Sequence, residues 1–180
     1  MITKHLENLA EEFASYNLAR AGLLIAKPKF DLAGADLLAF LEMGDGVKFC
    51  RIQCKGRSLA NSNSHITVPK AYVSPGFILF LYLDNLKKQT LYCFIESDIK
   101  QWRPTSRGEY RLTLNRNNIS AKLERYRFDE TKVRLIKTII STAEVSGQFR
   151  TLIYGRCQST AGGAETRGYA TVRNPVPPAS

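Results

Sequence analysis

Two rhythms of apolar and polar positions run along the chain. Over residues 4–21, Leu6, Leu9, Ala10, Phe13, Ala14, Asn17, Leu18 and Ala21 fall on one side at helical spacing. The pattern predicts a helix with Thr3 as N-cap, Glu7 in its first turns and Gly22 as C-cap. Residues 23–26 predict a short strand, stopped by Lys27-Pro28. The rhythm then shortens. Residues 36–42 (DLLAFLE) and 47–55 (VKFCRIQCK) read as two strands joined by a hairpin turn, Met43-Gly44-Asp45-Gly46.

Residues 56–64 read as polar loop, and 65–73 (HITVPKAYV) as a short strand with Pro69 at its edge. The apolar run 77–83 (FILFLYL) predicts a central strand, with 90–95 as its hairpin partner. A short helix over 96–102 and a strand over 110–114 follow. Residues 128–141 have the period of a basic amphipathic helix, with Val133, Ile136, Ile139 and Ile140 inward. From about residue 158 small residues, Gly and Pro dominate, and the pattern predicts a flexible tail. The expected organisation is one domain over 1–157, with a motif core over about 5–100, a basic part over 101–157, and the tail 158–180.

One segment breaks the rhythm. In "IQCKG", residues 52–56, Gln53 and Lys55 interrupt an otherwise apolar strand. By strand alternation Val47, Phe49, Arg51, Gln53 and Lys55 share one face, which turns from apolar to polar as it nears Gly56. A strand has this character where its end enters a site. The hairpin register then matters. A four-residue turn pairs Glu42 with Val47 and sets Asp36 opposite Gln53; a two-residue turn at Asp45-Gly46 sets Asp36 opposite Lys55. Either way Asp36, Gln53 and Lys55 share a face; a three-residue loop breaks the arrangement.

A carboxylate, an amide oxygen and an ammonium at strand ends fit a Mg²⁺ site. Mg²⁺ prefers oxygen ligands and is held by one or two carboxylates, with waters and substrate phosphate completing the shell. A nearby lysine stabilises charge at a reacting phosphate. A surface Asp–Lys pair at a polar strand end would give the same pattern. On the first helix, at about 100° per residue, Glu11 falls on the border of the apolar arc and Glu12 opposite it. Glu11 is therefore placed to reach the sheet and Glu12 to face water.

Charge changes the picture further. The chain of 180 residues carries a formal net charge of +10. Residues 1–90 hold 11 Lys/Arg against 8 Asp/Glu, and residues 91–180 hold 15 against 8. Such a balance favours polyanionic partners, nucleic acid before membrane. No apolar run is long enough for a membrane span, and the acids near the N-terminus argue against a secretory signal. Cys50, Cys54, Cys93 and Cys157 lie in apolar or strand-like settings, the pattern of free thiols in a reducing cytoplasm. Cys50 and Cys54 have no second Cys/His pair at zinc spacing.

The order of elements resembles the PD-(D/E)xK nuclease superfamily: a helix with Glu11 ahead of Gly22, a short strand, Asp36, a hairpin, and Gln53-x-Lys55. Residues 10–22 are similar to the opening helix of archaeal Holliday-junction resolvases. "IQCKGR" looks like the Gln-x-Lys variant of Mrr-type restriction endonucleases. The resemblance implies an α/β, restriction-endonuclease-like core, a mixed sheet of four to five strands flanked by helices. It implies Mg²⁺-dependent cleavage of DNA, with Mn²⁺ as a substitute. Asp36 would be the principal metal ligand, Gln53 the residue at the second acid's place, Lys55 the motif lysine and Glu11 the helix acid. Ala35 stands where the family has proline, and Asp31 is an alternative first acid. A homodimer would suit the need for two sites to cut two strands. The competing expectation is a degenerate nuclease-like fold that binds nucleic acid without cutting it.

For DNA contact the sequence offers Arg57 and Ser58 beside the motif lysine. A basic cluster further on holds Lys122, Arg125, Arg127, Lys132, Arg134 and Lys137. The same cluster is also what a solvated helix face would carry.

Overall fold

The computed structural model describes residues 2–29, 34–44, 46–59, 63–85, 88–115 and 122–143. Asp31, Asp45, Cys157 and the expected tail 158–180 lie outside the described residues.

Helix α1 spans Ile2–Arg20, so Thr3 lies inside its first turn and is not the cap. Its C-terminus matches the pattern. Gly22 has φ +81°, its amide donates to the Ala19 carbonyl (2.9 Å), and the Leu23 amide donates to the Leu18 carbonyl (3.2 Å). These two bonds close a Schellman motif, which needs a left-handed residue where Gly22 stands. Leu6, Ala10, Ala14 and Leu18 are the buried stripe, and Ala10 and Ala14 keep the helix close to the sheet. Phe13 is 37% exposed, resting edge-on against Tyr82.

Strand β1 is Leu24–Ala26, β2 Leu37–Met43, β3 Gly46–Ser58, β4 Ser64–Pro69, β5 Phe77–Asn85 and β6 Lys88–Ile95. A short helix α2, Glu96–Ile99, leads to β7 (Arg103–Pro104) and β8 (Glu109–Leu114), and the chain continues to helix α3, Glu130–Ser141. The main sheet has the order β1-β2-β3-β5-β6, with β3 and β5 parallel and the other neighbours antiparallel. A second sheet, β4-β8-β7, is antiparallel throughout.

Each face of the main sheet has its own core. On one face Cys50, Ile52, Cys54, Ile78, Phe80 and Cys93 pack under α1 and under Ile136 and Ile140 of α3. On the other, Leu79, Leu81, Leu83 and Phe94 pack against Ile66, Val68, Leu112 and Leu114 of the second sheet and against Trp102 and Tyr126. Strands buried on both faces read as continuous apolar runs, as "FILFLYL" does.

The structure corrects the expected elements in three places. The strand expected to stop at Lys55 continues to Ser58, because β5 pairs with it as far as Ser58↔Asp84. The strand expected over 65–73 ends at Pro69, whose ring leaves no amide for a ladder, and a 3₁₀ turn Lys70–Tyr72 follows. The helix expected over 96–102 ends at Ile99 and gives way to β7.

The candidate active site

The hairpin between β2 and β3 pairs Glu42 with Val47, the register expected of the longer turn. Met43 also pairs with Gly46, so the turn itself is tighter than four residues. The ladder runs to Leu37↔Ile52 and stops one step short of an Asp36–Gln53 pair. Asp36 leaves the ladder in a defined way. Its amide donates to the Ile52 carbonyl (2.8 Å), and its carboxylate Oδ2 accepts the Cys54 amide (2.6 Å). A side chain has taken the place of the next backbone partner, which holds the carboxylate at the fork where β2 and β3 part.

Beyond that fork the strand that pairs with β3 among the described residues is β5. Alternation separates the side chains of β3. Ile52 and Cys54 belong to the core under α1. Gln53 and Lys55 point to the opposite face, beside Leu79 and Leu81. Gln53 is only 6% exposed, and its Oε1 is buried with no hydrogen-bond partner among the described residues. Such an oxygen is costly unless something binds it. Gly34 makes room beside the Gln53 amide nitrogen. With φ +72°, a Cβ there would run into the Tyr72 ring and stand 3.1 Å from Gln53 Nε2. Lys55 is half-buried, and among the described residues its ammonium has no carboxylate or hydrogen-bond partner.

Helix α1 closes the site from the side. A Cβ on Gly56 would collide with the Leu6 carbonyl and lie 2.8 Å from the Glu7 amide nitrogen, so the helix backbone rests on β3 just after Lys55. Glu11 has a side chain 16% exposed and is ion-paired with Lys27; Glu12 is exposed, as its place on the helix predicts. The hydrogen bond to Glu11 raises the Lys27 pKa, and the charges of Glu11 and then Asp36 add to it. Burial pushes the Cys54 thiol well above its ordinary value, and Asp36 and Glu11 push it further. Glu11, Asp36 and Lys27 therefore share one electrostatic neighbourhood around Cys54. Lys27 is the member of this group that the sequence did not single out; its one signal was its position just after β1, beside Pro28.

The expected DNA-contacting residues are scattered. Arg57 bonds Glu7 (3.2 Å), the His65 carbonyl (3.1 Å) and the Gly56 carbonyl (2.7 Å), so it stitches β3 to α1 and β4. Ser58 ends β3 opposite Asp84. Lys122 is exposed. Arg125 stacks at 4.6 Å on Tyr126, whose ring also carries Lys132 at 5.5 Å. Arg127 pairs with Glu124 (3.4 Å) and Arg134 with Glu130 (4.0 Å). Lys137 is half-buried, its ammonium beside Gly22 at the C-terminal end of α1, where a cation suits the helix dipole.

Cys50, Cys54 and Cys93 are free and buried. Among the described residues no group of three or more His, Cys, Asp and Glu is placed to hold a metal. Among the described residues no helix is long and apolar enough to cross a membrane.

No family model and no curated protein matches the sequence. Among solved structures the chain is similar to a bacterial homing endonuclease, I-Ssp6803I, with TM-score 0.50 and 13% identity over 79% of this chain and 98% of that one. It is also similar to a Holliday junction resolvase from the archaeal hyperthermophile Archaeoglobus fulgidus, with TM-score 0.43 and 10% identity over 71% of this chain and 93% of that one. The likeness to the homing endonuclease agrees with the architecture: an α/β, restriction-endonuclease-like fold built on a five-stranded mixed sheet flanked by helices.

Proposed function

We propose that the chain is a metal-dependent DNA endonuclease of the PD-(D/E)xK kind, with Gln53 in place of the second acid. The observation that carries this reading is the buried Gln53 Oε1, which has no partner among the described residues and lies one residue from the Cys54 amide that Asp36 holds. The fold of a homing endonuclease adds support. Asp36 and Gln53 fit Mg²⁺ because both offer hard oxygens, and Glu11 acts with Asp36 on Cys54. The ion, with Mn²⁺ as substitute, would supply Lewis-acid activation of a phosphodiester. The protein's own part is positional. The Cys54 amide holds the Asp36 carboxylate in place. Lys55 presents an ammonium, unpaired among the described residues, to negative charge developing on the phosphate. The packing of α1 on Gly56 fixes the backbone next to Lys55.

A plasmid-nicking assay with Mg²⁺, Mn²⁺ and EDTA tests the proposal. Nicking that requires the metal is the expected result; intact plasmid under all three conditions would sink it. A second reading rests on the Glu11–Lys27 ion pair, which neutralises one of the acids, and on the uncharged Gln53. On that reading the chain binds nucleic acid without cutting it. Gln53→Glu separates the two. In a nuclease the variant keeps or raises activity. In a degenerate site the parent is inactive, and the variant alone gains Mg²⁺-dependent thermal stability.

A further inference from the structure

The second sheet turns Ile66, Val68, Leu112 and Leu114 to the core. Alternation sets His65, Thr67, Arg111, Thr113 and Arg103 on its other face. There Thr67 pairs with Arg111 and Arg111 with Arg103, so three side chains stand in a row across β4, β8 and β7. Two guanidiniums directly opposite each other repel, with Cβ atoms about 4.5–5.5 Å apart in such a pair. Among the described residues no carboxylate forms an ion pair with either; Glu109, the acid on this face, pairs with neither. Arg111 Nε is buried and has no hydrogen-bond partner among the described residues.

The row is joined to the candidate site. Arg57, on the same face of β3 as Lys55, donates to the His65 carbonyl in β4 (3.1 Å). The cations of the C-terminal part are differently placed, since Arg125, Lys132, Arg127 and Arg134 already engage Tyr126 or a neighbouring carboxylate. A membrane surface fits the row poorly. The exposed large apolar residues among those described, Phe13, Tyr16, Leu24 and Val47, lie on α1, β1 and β3, and none lies on this face.

We propose that the outward face of the three-stranded sheet, centred on Arg103 and Arg111, takes the phosphate backbone of the nucleic acid on which the site acts. The choice of partner rests on the nuclease reading. A phosphate between two guanidiniums relieves their repulsion and accepts from planar donors that no group among the described residues fills.

The test is binding of the full chain to a labelled DNA duplex by fluorescence anisotropy over a salt series, for the parent, Arg103→Gln, Arg111→Gln and the double variant. We expect the double variant to lose about tenfold or more in affinity, and its slope of log K against log salt to flatten by about 0.9 per lost phosphate contact. Its melting temperature should hold or rise, because a like-charge pair has gone. Arg103→Gln, on an exposed two-residue strand, should show part of the loss by itself, which serves if Arg111→Gln does not fold. Folded variants with the parent's affinity and slope overturn this proposal alone. Variants that lose binding to phosphatidylserine vesicles but keep duplex affinity overturn it in favour of a membrane. A parent that does not bind duplex at low salt overturns the nucleic-acid reading, and this proposal with it.

Discussion

The two halves of β3 follow the same alternation and meet different surroundings. From Gly46 to Ile52 the strand has β2 on one side and, from Arg51, β5 on the other. From Gln53 to Ser58 its ladder partner among the described residues is β5. In the first half the backbone groups facing β2 find backbone partners. In the second, the Cys54 amide finds the Asp36 carboxylate instead, and a helix backbone fills the space beside Gly56. The polar side chains of the chain's candidate chemistry collect where a neighbouring strand is missing. A strand that outruns its partner leaves backbone donors that only side chains can satisfy, and those side chains are then held at a cleft.

The largest expected effect removes the chemistry of the half that has outrun β2. Asp36→Ala and Lys55→Ala should each lower the nicking rate by roughly 10²-fold or more, the scale of losing one preorganised electrostatic group. Asp36→Ala should also destabilise the fold by about 1–3 kcal/mol, because the buried Cys54 amide loses its acceptor. Lys55→Ala should leave melting unchanged. Nicking by either variant at the parental rate would break the link between strand end and function.

The next contrast is between two glycines. Gly56→Ala forces a methyl into the Leu6 backbone carbonyl and should cost about 3 kcal/mol or more. Gly44→Ala, in the turn at the other end of the strand, meets nothing within 4 Å and should shift stability by about 0.5 kcal/mol or less. Urea denaturation of the two variants measures the difference, and equal costs would mean that the helix does not rest on the strand.

Gln53→Leu sharpens the comparison in the opposite direction. It deletes a buried oxygen without a partner among the described residues, so the variant should be more stable than the parent by roughly 1 kcal/mol and lose nicking activity. A less stable variant would mean that the amide is bound within the protein.

The last effect appears only at alkaline pH, in the core under α1 that β3 shares with β6. Burial holds the Cys50 and Cys93 thiols up to about 12 and raises Cys54 as well. An unfolded thiol ionises near pH 8.5, so above that the unfolded chain releases protons that the native chain keeps. Stability contributed by these thiols is full below about pH 8.5 and declines as pH rises toward 12. Melting temperatures followed from pH 8 to pH 11 should fall, and Cys93→Ala should flatten the fall.

Much of the fold was legible because its signals are local. The stripe Leu6, Ala10, Ala14, Leu18 followed by Gly22 specifies a helix and its stop within one segment. The turn narrowed the hairpin to two registers, of which the structure has the one that pairs Glu42 with Val47, and the exposed Glu12 came from helical angle alone. The second sheet was not legible. Its strands β4 and β8 are separated by β5, β6, α2 and β7, and nothing in "HITVP" or "EYRLTL" names the other as partner. Lys27 was missed for the same reason, since its contact with Glu11 crosses 16 positions and depends on where α1 lands.

By itself the sequence determined the candidate chemistry and its order along the chain: an acid on a helix, an acid before a hairpin, an amide and a lysine two residues apart. Residue type and alternation are properties of the chain, and no fold can change them. The tertiary structure decided the rest. It set the point at which β2 stops pairing, which turns Asp36 from a ladder residue into a side-chain cap on Cys54. It pressed α1 onto Gly56, joined Glu11 to Lys27, set the Gln53 amide beside Gly34 and buried its oxygen. Each of these depends on two segments arriving at one place. Which segments meet is settled by packing over the whole core, and a local pattern carries no record of it.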